Sequence, residues 1–324
     1  MYRAGLLALA VVRGACRAGP AGQAPVVATA VPLFGPVLGP EVIAGRADAG
    51  DEVVGLAGGI DLVRLNLRTR HVARVSLRAG PSEECWNLAR LRDGSLWTIK
   101  GRRTLARLEP DGTIAQEVTL TETHFGLFAA GDRLLFQRAD FTPPAPALLA
   151  GAPDNPSRVP WSAIATRTFP SLARASVAAL NMVTCGPSLS AERACWFPDE
   201  AAVSLVKDDG ATRRVTLEGL EAVAPEVLLT SDNPRRPVRD AYVDAAGELW
   251  VLSSGMPPQG GEETPGGWVL ARYALDDTAG HEGPSLRSKG IARLSEAARL
   301  ILRADSRVVV LLLSSGKVGE VSRW

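Results

Sequence analysis

In "TCGPSLSAERACWF", Cys185 and Cys195 flank a Gly-Pro-Ser turn. A hairpin there brings the two thiols opposite one another, and the chemistry that follows is a cross-strand disulfide. No histidine lies near, and the spacing is not that of a zinc site. Two small buried thiols are the competing reading, because unpaired cysteine is among the most buried residue types. Cys85 is left over. Residues able to move protons are sparse: His71 falls in an outer hairpin and His281 in a loop, which leaves His124. There is no P-loop, no glycine-rich dinucleotide fingerprint between a strand and a helix, and no nucleophile elbow.

Composition bounds the elements that must position these residues. The chain has 324 residues, 46% of them apolar, enough to bury a large core as one all-β domain or two ordinary ones. Lys plus Arg number 36 against 35 Asp plus Glu. No long-range field therefore draws the protein to nucleic acid or to an anionic membrane, and neither is expected as a partner. The basic runs "KGRR" (Lys100 to Arg103) and "NPRRPVR" (Asn233 to Arg239) read as solvated turns. Arg3, the apolar run Ala4 to Val12 and the small residues after it have the layout of a secretory signal, too short to span a bilayer; a disordered, Ala-rich start is the alternative. Residues 1–24 are assigned to that leader and residues 25–324 to one domain, in an extracytoplasmic (periplasmic or secreted) location. Cys16 follows Gly14 and Ala15 as in a lipoprotein site, but Arg13 stands where an aliphatic residue belongs, so lipid anchoring is the lesser reading. No later stretch reaches the roughly 18 uninterrupted apolar residues of a membrane helix.

Past the leader, the text repeats. "GELWVLSSG" from Gly247, "GSLWTIKG" from Gly94 and the looser "DRLLFQRA" from Asp132 share one grammar of turn, then apolar strand. Further copies are "DEVVGLAGG" from Asp51, "ERACWFPD" from Glu192 and "SRVVVLLLSSG" from Ser306. The copies recur at roughly 40 to 60 residues, the period of β-propeller blades. Around Gly94 the unit reads as four short antiparallel strands, with Asp93-Gly94 and Asp111-Gly112 as hairpin turns. A four-stranded sheet cannot bury both faces alone, whereas stacking such sheets about an axis does so. After the last copy only "KVGEVSRW" remains, a third strand without a fourth. The expectation is an all-β, six-bladed β-propeller closed by an N-terminal strand from "PVVATAVP" (Pro25 to Pro32). The Pro-rich run Phe141 to Pro170 hides the outer strands of the third unit, "PSLARASVAALNM" reads as a helical insertion, and Gly255 to Gly267 as a long loop.

The clearest copy consists of Val243, Asp244, Gly247, Leu249, Trp250 and Val251, and Asp93, Gly94, Leu96 and Trp97 make a partial second. This cadence resembles the NHL-type and gluconolactonase-like (regucalcin-like) six-bladed propellers, without their full metal-site pattern. In the gluconolactonase-like hydrolases a metal at the central channel is held by a Glu, two Asn and an Asp at the starts of inner strands. Sliding the units onto that pattern puts Asn87, His124 and Arg239 at those positions, with Asp240 one place off and facing the other way. Arg239 would repel a divalent cation, so neither a metal nor another cofactor is expected.

What those positions imply is a polar channel mouth of Asn87, His124 and Arg239, ready for a small anionic ligand. A competing reading has Arg239 paired with a neighbouring acid and His124 completing a hydrogen-bond ring. Trp97 and Trp250 are expected to pack between blades. The functional expectation is an exported, non-enzymatic, monomeric module that binds an unknown protein or small anionic ligand at one rim or at the channel mouth. The alternative is a gluconolactonase-like hydrolase or lyase acting there on a small anionic substrate, with His124 as the candidate base.

Overall fold

The structure, a computed structural model, describes residues 26–28, 31–34, 43–49, 51–77, 84–101, 103–120, 124–130, 133–138, 148–151, 159–160, 183–208, 211–224, 236–254, 267–275 and 285–322. The leader, the helical insertion and most of the loop after Gly255 lie outside the described residues. Among those described, every regular element is a β-strand, and no helix is long and apolar enough to cross a membrane.

Two short strands come first, β1 (Val26–Ala28) and β2 (Val31–Phe34). The first sheet follows, with β3 (Ile43–Ala49), β4 (Glu52–Ala57), β5 (Asp61–Asn66) and β6 (His71–Ser76). The second holds β7 (Cys85–Arg90), β8 (Leu96–Lys100), β9 (Thr104–Leu108) and β10 (Ile114–Thr119). The third holds β11 (His124–Ala130), β12 (Arg133–Arg138), β13 (Leu148–Gly151) and β14 (Val159–Pro160). The fourth is β15 (Thr184–Cys185), β16 (Glu192–Trp196), β17 (Ala202–Lys207) and β18 (Thr212–Leu217). The fifth takes β19 (Arg236–Val243), β20 (Glu248–Ser254), β21 (Trp268–Ala274) and, beyond the short β22 (Ser285–Leu286), β23 (Ser288–Leu294). The sixth is β24 (Ala298–Ala304), β25 (Val309–Leu313) and β26 (Val318–Val321), completed by β2.

Within each sheet the strands of a unit pair antiparallel in chain order. Each of the six repeated segments supplies the second strand of its own sheet. Those strands are buried on both faces, completely so in β20 and β25, which is why they read as unbroken apolar runs rather than as alternation. The outermost strands β6 and β10 instead alternate between partly covered and exposed residues. The signature aspartates order the turns before the second strands. Asp93 accepts the Ser95 N–H at 2.8 Å and Asp244 the N–H groups of Ala246 and Glu248, both at 2.9 Å, while Gly94 supplies the left-handed residue of its turn, φ 86°.

Six apolar clusters join the sheets in succession. Val54, Leu56 and Leu62 meet Cys85, Leu88 and Leu96 of the second sheet; Trp97 and Ile99 meet Leu127, Leu134 and Phe136 of the third. Leu135 packs on Cys185, Cys195 and Phe197 of the fourth, whose Val203 and Leu205 meet Val243, Leu249 and Val251 of the fifth. Tyr242 and Trp250 pack on Ile301, Val309 and Leu311 of the sixth. Leu302, Val310 and Leu312 return to Val53, Val63 and Leu65 of the first. Sheets stacked face to face in this radial order are a β-propeller, and Trp97 and Trp250 lie between its sheets.

The segment that pairs with β26 is Val31–Phe34, beginning where "PVVATAVP" ends, and its register runs Val31 to Glu320 and Pro32 to Gly319. Val26–Ala28, inside "PVVATAVP", pairs elsewhere, parallel to β23 at the outer edge of the fifth sheet. A second parallel strap, β22, covers the outer edge of the fourth sheet along β18. The Pro-rich run contains β13 and β14, whose apolar signal is too short to be read between its prolines; Pro160 sits on an edge strand, where a missing N–H is harmless.

Candidate functional site

The first strand of five sheets carries a register irregularity against its second strand, between Ile43 and Gly45, Trp86 and Leu88, His124 and Gly126, Arg236 and Asp240, and Ala298 and Leu300. Such bulges re-aim side chains locally and are common beside binding sites. Asn87 and Arg299 are the residues passed over at two of them, and Arg239 lies within a third.

One cavity of about 360 Å³ opens at this end of three consecutive sheets. The fourth sheet contributes Thr184, Trp196 and Pro198, the fifth Arg236, Val238 and Arg239, and the sixth Arg299, Leu300 and Leu312. Arg236 and Arg239 are both half-buried in the irregular stretch of β19. Burial lowers the pKa of the Arg236 guanidinium, and the charge of Arg239 lowers it further. Burial also lowers that of Arg239; Asp240 opposes the shift and Arg299 adds to it. Three like charges thus face one space.

The pairing of the arginines sets this cluster apart. Among the described residues, five arginines have a buried Nε with no acceptor: Arg64, Arg107, Arg213, Arg236 and Arg272. Four of them reach a carboxylate through an Nη, on Glu52, Glu109, Glu192 and Glu248 respectively. Among the described residues no carboxylate lies within salt-bridge reach of Arg236. The acid beside Arg239 is committed elsewhere. Asp240, 4% exposed, accepts the backbone N–H of Ile301 at 2.6 Å across the boundary between the fifth and sixth sheets. Its carboxylate therefore ties two inner strands together and offsets only part of the positive charge.

The candidates read from sequence fall as follows. Arg239 lines the cavity. Asn87 is the extra residue of the β7 bulge, half-buried with φ 57°, and its carbonyl accepts the Thr98 hydroxyl at 2.8 Å; it is not among the cavity's lining residues. His124 opens β11 level with Arg138, and its side chain lies outside the described residues. Counting back from the signature makes Asn87 and Arg239 equivalent, but the register does not. Arg90 pairs with Leu96 as Val243 pairs with Leu249, and Trp86 with Ile99 as Asp240 with Leu252, so Asn87 has no counterpart in β19. His71 is exposed on β6, and His281 lies outside the described residues. Arg236 and Arg299 were missed because only their position at the starts of neighbouring inner strands brings them together.

The Cys185–Cys195 disulfide lies one residue from the cavity wall. The two cysteines are direct cross-strand partners, and so are Thr184 and Trp196 beside them. Because β15 is only two residues long, the disulfide is its main tether to β16. Closing a ten-residue separation constrains the unfolded chain by about 2–3 kcal/mol. Replacing both cysteines with alanine is expected to lower the urea-unfolding free energy by that amount and to weaken ligand binding at the cavity. An unchanged urea midpoint would show that β15 is held by packing alone. Cys85 is buried and, among the described residues, forms no disulfide.

A second cavity, of about 370 Å³, is lined at the opposite turns by Asp51, Leu189, Asp244, Arg303 and Asp305, among others. Its polar groups already bond one another: Arg303 meets Asp51 at 2.5 Å and Asp305 at 3.2 Å, and Asp244 also accepts the Trp250 indole N–H at 3.0 Å. Among the described residues no group of three or more His, Cys, Asp and Glu is placed to hold a metal ion.

Comparison with known proteins returns structural likeness alone. No family model and no curated protein matches the chain. Virginiamycin B lyase from Staphylococcus aureus is 12% identical, with a TM-score of 0.45 over 87% of this chain and 95% of that one. The β-propeller domain of Cps50 (Swd1) from Myceliophteria thermophila is 12% identical, with a TM-score of 0.44 over 84% and 83%. A chain of the mitotic checkpoint complex is 11% identical, with a TM-score of 0.48 over 98% and 100%. No residue role passes to this chain from any of them.

Proposed function

We propose that this protein is an exported, non-enzymatic six-bladed propeller of the NHL-like kind, its ring closed through β2, which binds a small anionic ligand at the arginine-lined cavity. The observation that carries the reading is the convergence of Arg236, Arg239 and Arg299, facing one space, with Asp240, already bonded to the Ile301 N–H, the single acid beside them among the described residues. Guanidinium groups offer flat, forked donors for carboxylate or phosphate, and desolvation strengthens those bonds. Two further facts support the six-blade part of the reading: six sheets and six inter-sheet clusters run round the chain, and β2 is the fourth strand of the last sheet. The Cys185–Cys195 disulfide supports an oxidising compartment.

Binding is favoured over catalysis by the lining itself. Among the described residues it contains no His, Cys, Asp, Glu, Lys or Tyr, and an arginine is too strong a base to exchange protons near neutral pH. Asn87 and His124 begin the inner strands of the second and third sheets, and the proposal gives them the opposite side of the same mouth.

Calorimetric titration with phosphate, sulfate, succinate and citrate tests the reading. At least one of these anions is expected to bind, and a charge-assisted bond of about 1.5–3 kcal/mol per guanidinium makes Arg239→Gln at least 10-fold weaker. Silence from all four anions, or undiminished binding by a folded variant with all three arginines changed to Gln, would overturn it.

A further inference from the structure

We infer that the ligand is a small dianion carried on a flat apolar body, of the class of aryl phosphates and aryl dicarboxylates; this rests on the anion-binding reading above. The first ground is charge. Three guanidinium groups face the cavity, and Asp240, bonded to the Ile301 N–H, returns one negative charge beside Arg239. Among the described residues the balance is two positive charges, which a monoanion leaves half compensated in a partly desolvated space, where an uncompensated charge is costly. A dianion neutralises it. Forked donors on adjacent strands also suit a group with several acceptor oxygens better than a single carboxylate.

The second ground is the rest of the wall. Trp196 and Pro198 stand on the fourth sheet, with Leu300 and Leu312 on the sixth. Trp196 and Leu312 are covered by the core, at 3% and 2% exposure, but inorganic phosphate would leave the half-buried Pro198 and Leu300 facing water, whereas a flat apolar body would cover them. About 360 Å³ is at the small end of ligand pockets, room for one ring and its anionic group. The wall therefore selects a body, and the arginines select its charge.

Titrating the intact protein with phenyl phosphate, phenyl sulfate and methyl phosphate at pH 7.5 separates the two grounds. Phenyl phosphate is expected to bind at least 10-fold more tightly than phenyl sulfate, which has the same shape and one less charge. It should also bind at least 10-fold more tightly than methyl phosphate, which has the same charge and no ring. Its affinity is expected to fall between pH 7.5 and pH 5, as the second phosphate ionisation near pH 6 is reversed, while that of phenyl sulfate stays level. Leu300→Asn should bring phenyl phosphate close to methyl phosphate while leaving the latter's affinity within 2-fold, a pattern that unfolding does not produce. Equal affinity within either pair of wild-type titrations would overturn the ligand class and leave the anion site standing. No binding by these three, together with silence from phosphate, sulfate, succinate and citrate, would remove the anion site itself.

Discussion

Gly186→Ala is expected to cost more than about 3 kcal/mol of folding free energy, the upper end for an overpacked core position. A Cβ on Gly186 would stand 1.8 Å from the Ala241 carbonyl oxygen and 2.7 Å from its carbon. The obstacle is backbone, so no side-chain rotation relieves it. The fourth and fifth sheets would have to separate where they are bonded. Leu189 N–H donates to the Val243 carbonyl at 2.9 Å, and Val243 N–H donates to that of Pro187 at 3.3 Å. Ser188 and Val243 make a parallel bridge between the same segments. Gly247→Ala is the control: φ is 75° there, but nothing lies within 4 Å of the added carbon, so only the left-handed penalty of about 1–2 kcal/mol applies. Urea unfolding of both variants checks the difference. A Gly186→Ala protein as stable as the Gly247→Ala protein would mean that the two sheets do not approach so closely. Since Cys185 precedes Gly186, a tolerated variant should also bind anions less well.

The second large effect is expected at Asp240, and its sign is unusual. Asp240→Ala leaves the Ile301 N–H, in a residue with no exposed surface, without its acceptor, and removes the carboxylate beside a half-buried Arg239. Losing one side of such an arrangement costs about 3 kcal/mol or more. Asp240→Asn keeps an oxygen for the N–H and loses only the charge, so about half that cost is expected. Anion affinity should move the other way. With the negative charge gone, the cavity is more positive, and Asp240→Asn should bind phosphate several-fold more tightly than the wild type. Because a ligand stabilises the folded state in proportion to how far its concentration exceeds Kd, the variant's stability deficit should shrink as phosphate is added. Thermal unfolding across a phosphate series checks both halves. Weaker phosphate binding by a folded Asp240→Asn protein would place the Asp240 charge outside the reach of the cavity.

The repeat was legible because its physics is local. A second strand between two neighbours is apolar on both faces, and an Asp or Gly must precede it to close the turn, so "GSLWTIKG" and "GELWVLSSG" announce themselves. The Cys185–Cys195 juxtaposition was legible for the same reason, since a turn between them puts Thr184 opposite Trp196 and Cys185 opposite Cys195. The cavity was legible only through Arg239. Arg236 and Arg299 belong to strands that meet by stacking, and nothing in the local pattern of either strand points to the other. The bulges did the rest. One extra residue at Asn87 reverses which side of β7 each later residue faces, and the aspartates of the two turns sit at different distances from their glycines, Asp93 beside Gly94 but Asp244 well before Gly247. Counting along the chain compounds both slips. Asp240 was read as facing away from the channel, and its partner, the backbone N–H of Ile301 on the next sheet, has no sequence signal at all.

The pairing of β2 with β26, and of β1 with β23, also sets a timetable. Residues 26–34 emerge from the ribosome early, yet their partners at Ala292 and Val318 come almost last. Until then the fifth and sixth sheets lack their outer strands, and no amount of local order elsewhere can supply them. Contacts so distant in sequence slow the search for the native state.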